Sequence, residues 1–286
     1  MYKKETFTAV ILFFILQICF AQSSFQNLEL GKNSLNYKGN PLKATDRKSL
    51  AFSDKGAWFG FGFLEQSEMQ GGFSGPFLMT EQNGVWLSSS FISLHLTDKN
   101  EQELIDWKTA LVNQNSYNSH LEQEFQNEKL EVKQQLVFSS GHSAIQKTSI
   151  TNRSSKTITL YPIYNSKTYL DNMQLSTEGQ FLKLVSSKSN AVGYIQFFNE
   201  GIDIVITKDS FTAKANKLTL KPNETKEIVV SQTYIFPQYD WKKENENLAN
   251  IQFNTVLKDT QKEKEHQLAQ LIAKKKSIYK GAEYSI

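Results

Sequence analysis

Acidic side chains are the first candidates for chemistry in this chain of 286 residues. A glycosidic bond is hydrolysed by two carboxyl groups placed on either side of a sugar, one serving as acid and the other as base or nucleophile. Glu65, Glu68 and Glu81 flank a stretch rich in glycine and aromatics, with Asp54 and Asp106 nearby in sequence. No spacing rule separates such a pair from ordinary surface acids, so no residue is assigned as catalytic. His95, His120, His142 and His266 show no metal-ligand spacing, and no metal or cofactor is expected. Gly60-Phe61-Gly62 runs on into Phe63-Leu64-Glu65 and lies in a strand, so it is not a phosphate loop. Gly141-His142-Ser143-Ala144 lacks the second glycine and the helix of a nucleophile elbow.

Aromatic side chains are the better lead. Trp58, Phe59, Phe61, Phe73, Phe77 and Trp86 suit either a platform on which sugars stack or the core of a sandwich. Gly71, Gly72 and Gly75 are required by a tight loop and not by a core, and such loops on a rigid scaffold often carry function. Trp58, Phe73 and Trp86 are therefore the candidate carbohydrate contacts.

The element that must position them runs from Trp58 to Leu96. Phe59, Phe61 and Phe63 share one face of an extended strand, with Gly60 and Gly62 on the other. Glycine inside a strand marks close approach of another backbone or a ligand. Gly71 to Phe77 reads as a bent loop, followed by one long strand carrying Trp86, Ser88, Ser90, Ile92, Leu94 and Leu96 on one face.

Composition fits one large all-β domain with an appendage: 39% hydrophobic residues, with 32 basic against 29 acidic side chains for a net charge of +3. That balance leaves no electrostatic footprint for nucleic acid. Lys3 and Lys4, the apolar run Phe7 to Phe20, and Cys19-Phe20-Ala21 before Gln22 read as a cleaved signal peptide over 1–21. The run is too short for a stable membrane span of about 20 residues, and Gln17-Ile18 before Cys19 argue against lipidation. A periplasmic or secreted protein is expected. Cys19 is the only cysteine, so the mature chain is held by its core and not by disulfides.

Residues 22–46 read as an irregular lead-in with one short strand, and Ser49 to Ser53 as a strand. The 104–112 segment fits both helix and strand and is placed as strand. Leu121 to Phe138 is a hairpin; further strands follow around Ala144 to Ile150, Ile158 to Tyr164, Phe181 to Val185, Val192 to Phe198, Ile202 to Ile206, Leu218 to Leu220 and Ile228 to Phe236. Pro162 points to an edge strand. Turn signals every eight to twelve residues predict a large antiparallel β-sandwich over 22–237. Residues 238–286 read as a charged connector and a linker helix, polar on every side over 258–267 and without a packing partner.

Phe52-Ser53-Asp54 through Trp58-Phe59-Gly60-Phe61-Gly62, Gly71-Gly72-Phe73-Ser74-Gly75-Pro76-Phe77, and Asn83-Gly84-Val85-Trp86 carry a resemblance. So do Leu136 to Ser140, Ile150 to Ser154 and Leu220 to Thr225. Together they resemble the N-terminal β-sandwich (supersandwich) region of bacterial glycoside hydrolases of the family 63 or mannosylglycerate-hydrolase-like group, related to trehalases. The likeness covers most of residues 45–236. In that group a linker helix and a catalytic (α/α)6 barrel follow, and the barrel carries the acid and the base. This sequence ends where the barrel should begin, so the resemblance transfers no catalytic residue. It implies the non-catalytic N-terminal part of an exported glycoside hydrolase, without activity of its own. Its partner would be the barrel domain or a separately encoded protein, with an oligosaccharide as a further ligand. The alternatives are a secreted carbohydrate-binding module that works alone, or a secreted partner-binding protein with a helical docking peptide.

Overall fold

A computed structural model describes residues 25–81, 83–198 and 201–273. The signal peptide expected over 1–21, with Cys19, lies outside them, as does the part of the expected linker segment beyond 273.

Helix α1 (Gln26–Leu30) comes first. Then come β1 (Phe59–Gly62), β2 (Ser74–Leu78), β3 (Val85–Trp86) and β4 (Ser93–Thr97). A one-turn helix α2 (Trp107–Ala110) leads into β5 (Leu111–Ser116), β6 (Leu121–Gln126), β7 (Leu130–Phe138), β8 (Ser143–Asn152) and β9 (Ile158–Lys167). The second half supplies β10 (Met173–Glu178), β11 (Phe181–Ser186), β12 (Val192–Phe197), β13 (Asp203–Ile206), β14 (Ser210–Lys214), β15 (Leu218–Leu220) and β16 (Thr225–Ile235). Helices α3 (Trp241–Ala249) and α4 (Phe253–Ala273) close the described chain.

The strands form the antiparallel sandwich that the alternation predicts. One layer is an eight-stranded sheet in the order β10-β11-β12-β16-β8-β7-β6-β5. Against it lie β13-β14-β9-β15, with β4 on the other flank of β9, and the small sheet β1-β2-β3. The layers meet through rings: Phe59 packs on Phe138 and Tyr234, and Tyr164 on Phe197. Gly60 and Gly62 are pressed as expected, and by this chain's own backbone. A Cβ on either would sit 2.7 Å from Phe52 O or 2.6 Å from Tyr37 O. The seam is internal to the domain.

Several expectations need correction. The lead-in begins with helix α1, and residues 49–53 contribute only the isolated bridge Phe52–Phe61. Asp106 caps α2, accepting from Lys108 N at 3.1 Å, so residues 107–110 are helical before β5 starts. The Gly71–Phe77 loop is half strand: Ser74–Leu78 pairs with β1 through a cis Gly75–Pro76 bond. The single long strand to Leu96 is two, because residues 87–92 leave the ladder between β3 and β4. Pro162 is not at an edge. It pairs with Leu96 on one side, while its carbonyl accepts from Ala215 N at 3.0 Å on the other, in the gap between β14 and β15. Its missing N–H points into that gap, where no ladder bond is lost.

The inner face of the large sheet carries a polar row. Gln114, Gln123, Gln134 and Thr148 stand directly opposite one another across β5, β6, β7 and β8. Gln123 Nε2 donates to Gln134 Oε1 at 2.7 Å, and Gln134 Nε2 to Thr148 Oγ1 at 3.3 Å. The same amides reach the opposite layer, donating to Leu64 O, Gly72 O and Gly71 O at 3.0 Å each. Leu64, Gly71 and Gly72 are buried on either side of an exposed turn at residues 65–68; the glutamines reach the carbonyls of all three, and Gly71 O also accepts from Leu94 N at 3.0 Å. The other side of that segment touches β4: a Cβ on Gly71 would fall 2.1 Å from Leu94 O, and one on Gly72 2.3 Å from Ile92 O.

On the outer face, Val137 and Ile145 are directly paired and would face water. Leu248, Phe253 and Leu257 of α3 and α4 cover them, and each apolar side chain so buried contributes about 1.5–3 kcal/mol. Helix α4 therefore does not stand without a partner. Its polar residues also bind: Glu265 accepts from Asn27 N and Leu28 N at 3.0 and 2.9 Å, capping α1, and Lys264 Nζ lies 2.5 Å from Asp54 Oδ1. Glu244 of α3 accepts from Ser140 and Ser143 hydroxyls at 2.6 Å each.

Gly71→Ala should cost at least about 3 kcal/mol, because its Cβ would displace buried backbone. Gly179→Ala, at a positive φ but in open space, should cost only about 1 kcal/mol. Urea denaturation of the two variants checks this; equal losses would contradict the packing described.

Candidate functional site

The candidate site is a polar cleft of about 550 Å³ beside the glycine segment. Its walls are the Ser88-Ser89-Ser90 turn between β3 and β4, the end of β9 (Asn165, Ser166, Lys167), Tyr169, and the start of β14 (Ser210 to Thr212); Gln70 also lines it. The ladder sets these in place. Thr212 pairs with Asn165 on one flank of β9, and Ser93 pairs with Asn165 on the other. The serine turn is tied to β2, where Gly75 N donates to Ser89 O and Phe91 N to Gly75 O. Gly75 has φ +108°, a conformation that favours glycine.

Two carboxamides in the cleft are pinned by their oxygens. Ser93 Oγ donates to Gln70 Oε1 at 2.7 Å. Asn165 Oδ1 lies 3.2 Å from His95 Nε2, and His95 Nδ1 is bonded to Glu103 Oε1. Ser166 Oγ bridges Ser88 Oγ at 3.0 Å and Ser90 O at 3.1 Å. Tyr169 OH donates to Pro41 O at 2.8 Å, which fixes its ring. Lys167, the one cation among the described residues lining the cleft, pairs with Asp209 at 2.9 Å. Hydroxyls, amide donors and an aromatic face suit a neutral polyhydroxylated molecule.

The residues singled out from sequence do not gather here. Trp58 is 59% exposed, whereas Phe73 and Trp86 are 3% and 1% exposed. The last two are core residues whose rings no sugar can reach; Trp86 Nε1 donates to Asp46 O at 3.0 Å. The acids are dispersed among structural tasks: Asp54 pairs with Lys264, Asp106 caps α2, and Glu65 accepts from Asn40. Glu68 is exposed in a 3-10 turn, and Glu81 is buried away from the cleft lining. His95 is half-exposed, as its strand phase indicates. Burial, then the charge of Lys133, pushes His120 down to about 3, so its 4.0 Å approach to Glu122 is not an ion pair. Among the described residues no His, Cys, Asp and Glu cluster could hold a metal ion, and no helix is long and apolar enough to cross a membrane. The cleft itself was missed. Its signal was the serine triplet between Leu87 and Phe91, where polar residues interrupt an apolar run.

Residues 39–195 match the family model described as "Glucosidase YgjK, N-terminal". No curated protein matches the sequence. Among solved structures, a protein described as a kojibiose phosphorylase from the human microbiome aligns at TM-score 0.51 and 11% identity, over 73% of this chain and 34% of that one. A bacterial glucoamylase complexed with acarbose aligns at TM-score 0.49 and 10% identity, over 81% of this chain and 40% of that one. At such identities the first likeness is one of fold, and this chain spans about a third of that protein's length.

His95 should titrate as part of the site. Its bond to Glu103, aided by that charge and by Asn165, holds the imidazole above its ordinary value of 6.5 against the effect of burial. A raised folded value means that the pair's stabilisation is complete below about 6.5 and fades as pH rises through the raised value. The gap in melting temperature between wild type and Glu103→Gln should be widest near pH 6 and narrow by about pH 9, for a half-exposed pair contributing about 0.2–1 kcal/mol. A gap that widens with pH would contradict the assignment.

Proposed function

Because this chain belongs to the glucosidase YgjK N-terminal family, we propose that it is the non-catalytic β-sandwich part of an exported glycoside hydrolase. It serves a carbohydrate-processing reaction whose acid and base are carried by an (α/α)6 barrel that the described residues do not contain. The barrel is its partner, on the same polypeptide or encoded separately. Export rests on the charged and apolar N-terminal pattern and the small residues before Gln22.

The observation that carries this reading is the fate of the acids. Every carboxylate near the glycine-aromatic stretch caps a helix, pairs with a cation, is exposed, or is buried away from the cleft. Among the described residues none of Asp54, Glu65, Glu68, Glu81 and Asp106 lines the cleft, where glycoside hydrolysis would demand two. A second reading, a carbohydrate-binding module that works alone, is favoured by the exposed Trp58 beside β1.

The experiment is to recover the exported protein, confirm by intact mass that it starts at Gln22, and assay it on aryl α-glucosides, aryl mannosides and trehalose. The proposal expects the cleaved form and no turnover above a buffer blank. Turnover would overturn the non-catalytic assignment, and an uncleaved product would overturn export.

A further inference from the structure

We propose that the cleft between Gln70, Ser89, Asn165 and Thr212 is a binding subsite for one neutral pyranose unit of an oligosaccharide. The inference rests on the reading of the chain as part of a carbohydrate-processing enzyme, and gives that reading a location on this domain.

Three observations carry it. The first is preorganisation. Gln70 and Asn165 have their side-chain oxygens engaged from behind by Ser93 and His95 on the same strand, β4. Each amide therefore turns its N–H2 group away from that strand, and two donors already held in place cost little further ordering when they meet a ligand. Ser89 and Thr212 add half-buried hydroxyls to the same wall. The second is electrostatic. Among the described residues that line the cleft Lys167 alone is charged, and Asp209 pairs with it at 2.9 Å. A uronate or phosphate would meet no unpaired cation among the described lining residues, whereas a neutral sugar gives up only hydroxyl hydration that the cleft's donors and acceptors can replace. The third is shape. The cleft, at about 550 Å³, admits a sugar ring, and the Tyr169 ring, fixed through its hydroxyl, provides an apolar face for it.

Sugar hydroxyls are both donors and acceptors, so amide N–H2 groups and serine and threonine hydroxyls can serve every orientation of a pyranose edge. Among the described residues no carboxylate lines the site to act on the glycosidic bond. It holds sugar without cleaving it, next to the segment that the buried glutamine row fixes.

The test titrates the purified chain with maltotriose and with α-mannobiose by calorimetry and by saturation-transfer NMR, with glucuronic acid and inorganic phosphate as charged probes. At least one neutral probe should bind, and the charged ones should not. Gln70→Ala and Asn165→Ala should each weaken binding about tenfold or more, equivalent to about 1.4 kcal/mol. The shape-preserving Thr212→Val should weaken it with an unchanged melting temperature, and Trp58→Ala should leave it unaltered. No binding by either neutral probe, preference for a charged probe, or loss of binding on Trp58→Ala alone would each overturn the cleft assignment. None of these bears on the absence of turnover, so the two proposals fail separately.

Discussion

A row of three glutamines buried between two β layers is the interaction on which the rest of this molecule depends. An irregular segment cannot enter a protein core unless its carbonyls find donors, since each unsatisfied group costs about 1–3 kcal/mol. Gln114 and Gln123 meet that demand for Leu64 and Gly72, and Gln134 adds a second bond to Gly71 O beside that from Leu94 N, while the row bonds within itself and to Thr148 across the strands. The two glycines are required because Leu94 of β4 and Ile92 just before it lie against their other side. Polar satisfaction on one side and absence of side chains on the other make a single device. It is a dense polar network that specifies one packing of the segment, at the cost of tolerating few substitutions.

The consequence for function is placement. With residues 71 and 72 fixed, Gln70 is held where Ser93 can pin its amide, and the serine turn is held by Gly75. The cleft is thus built on the rigid junction of β4, β9 and β14 and not on a free loop. The domain's carboxylates hold helices and hairpins together instead. Asp54 fastens α4 to the sandwich, Glu265 ties α4 to α1, and Glu244 fastens α3. Residues 39–195 match the model of a glucosidase N-terminal domain.

Much of the sandwich was legible in the sequence. Alternation in Leu130, Val132, Leu136 and Phe138 gave β7, and the turn at Gln126 to Glu128 gave its hairpin with β6. The failures have particular causes. Helix α1 is five residues long and takes its cap from Glu265, far along the chain, which no local window can see. Helix α4 was expected to lack a partner because its middle is polar, yet Lys264 and Glu265 of that middle add to the docking begun by Phe253 and Leu257. Pro162 suggested an edge because the break between β14 and β15 that accommodates it is a feature of neighbours, not of its own strand. Phe73 and Trp86 were eligible as sugar contacts because a stacking platform and a core call for the same residue types in the same alternation. Gln123 and Gln134 were overlooked although they stand in the inward phase of their strands, where a polar side chain signals a buried network.

Native-state hydrogen exchange tests the central claim most directly. If the glycine segment is locked into the core by the glutamine row, the amides of Leu94 and Gly75, which donate to Gly71 O and Ser89 O, should exchange only through global unfolding. Their opening free energy should then equal that of amides in the middle of β8. Exchange of Leu94 and Gly75 through a local opening several kcal/mol cheaper than that would show that the segment is a loosely held loop, and the account would fail.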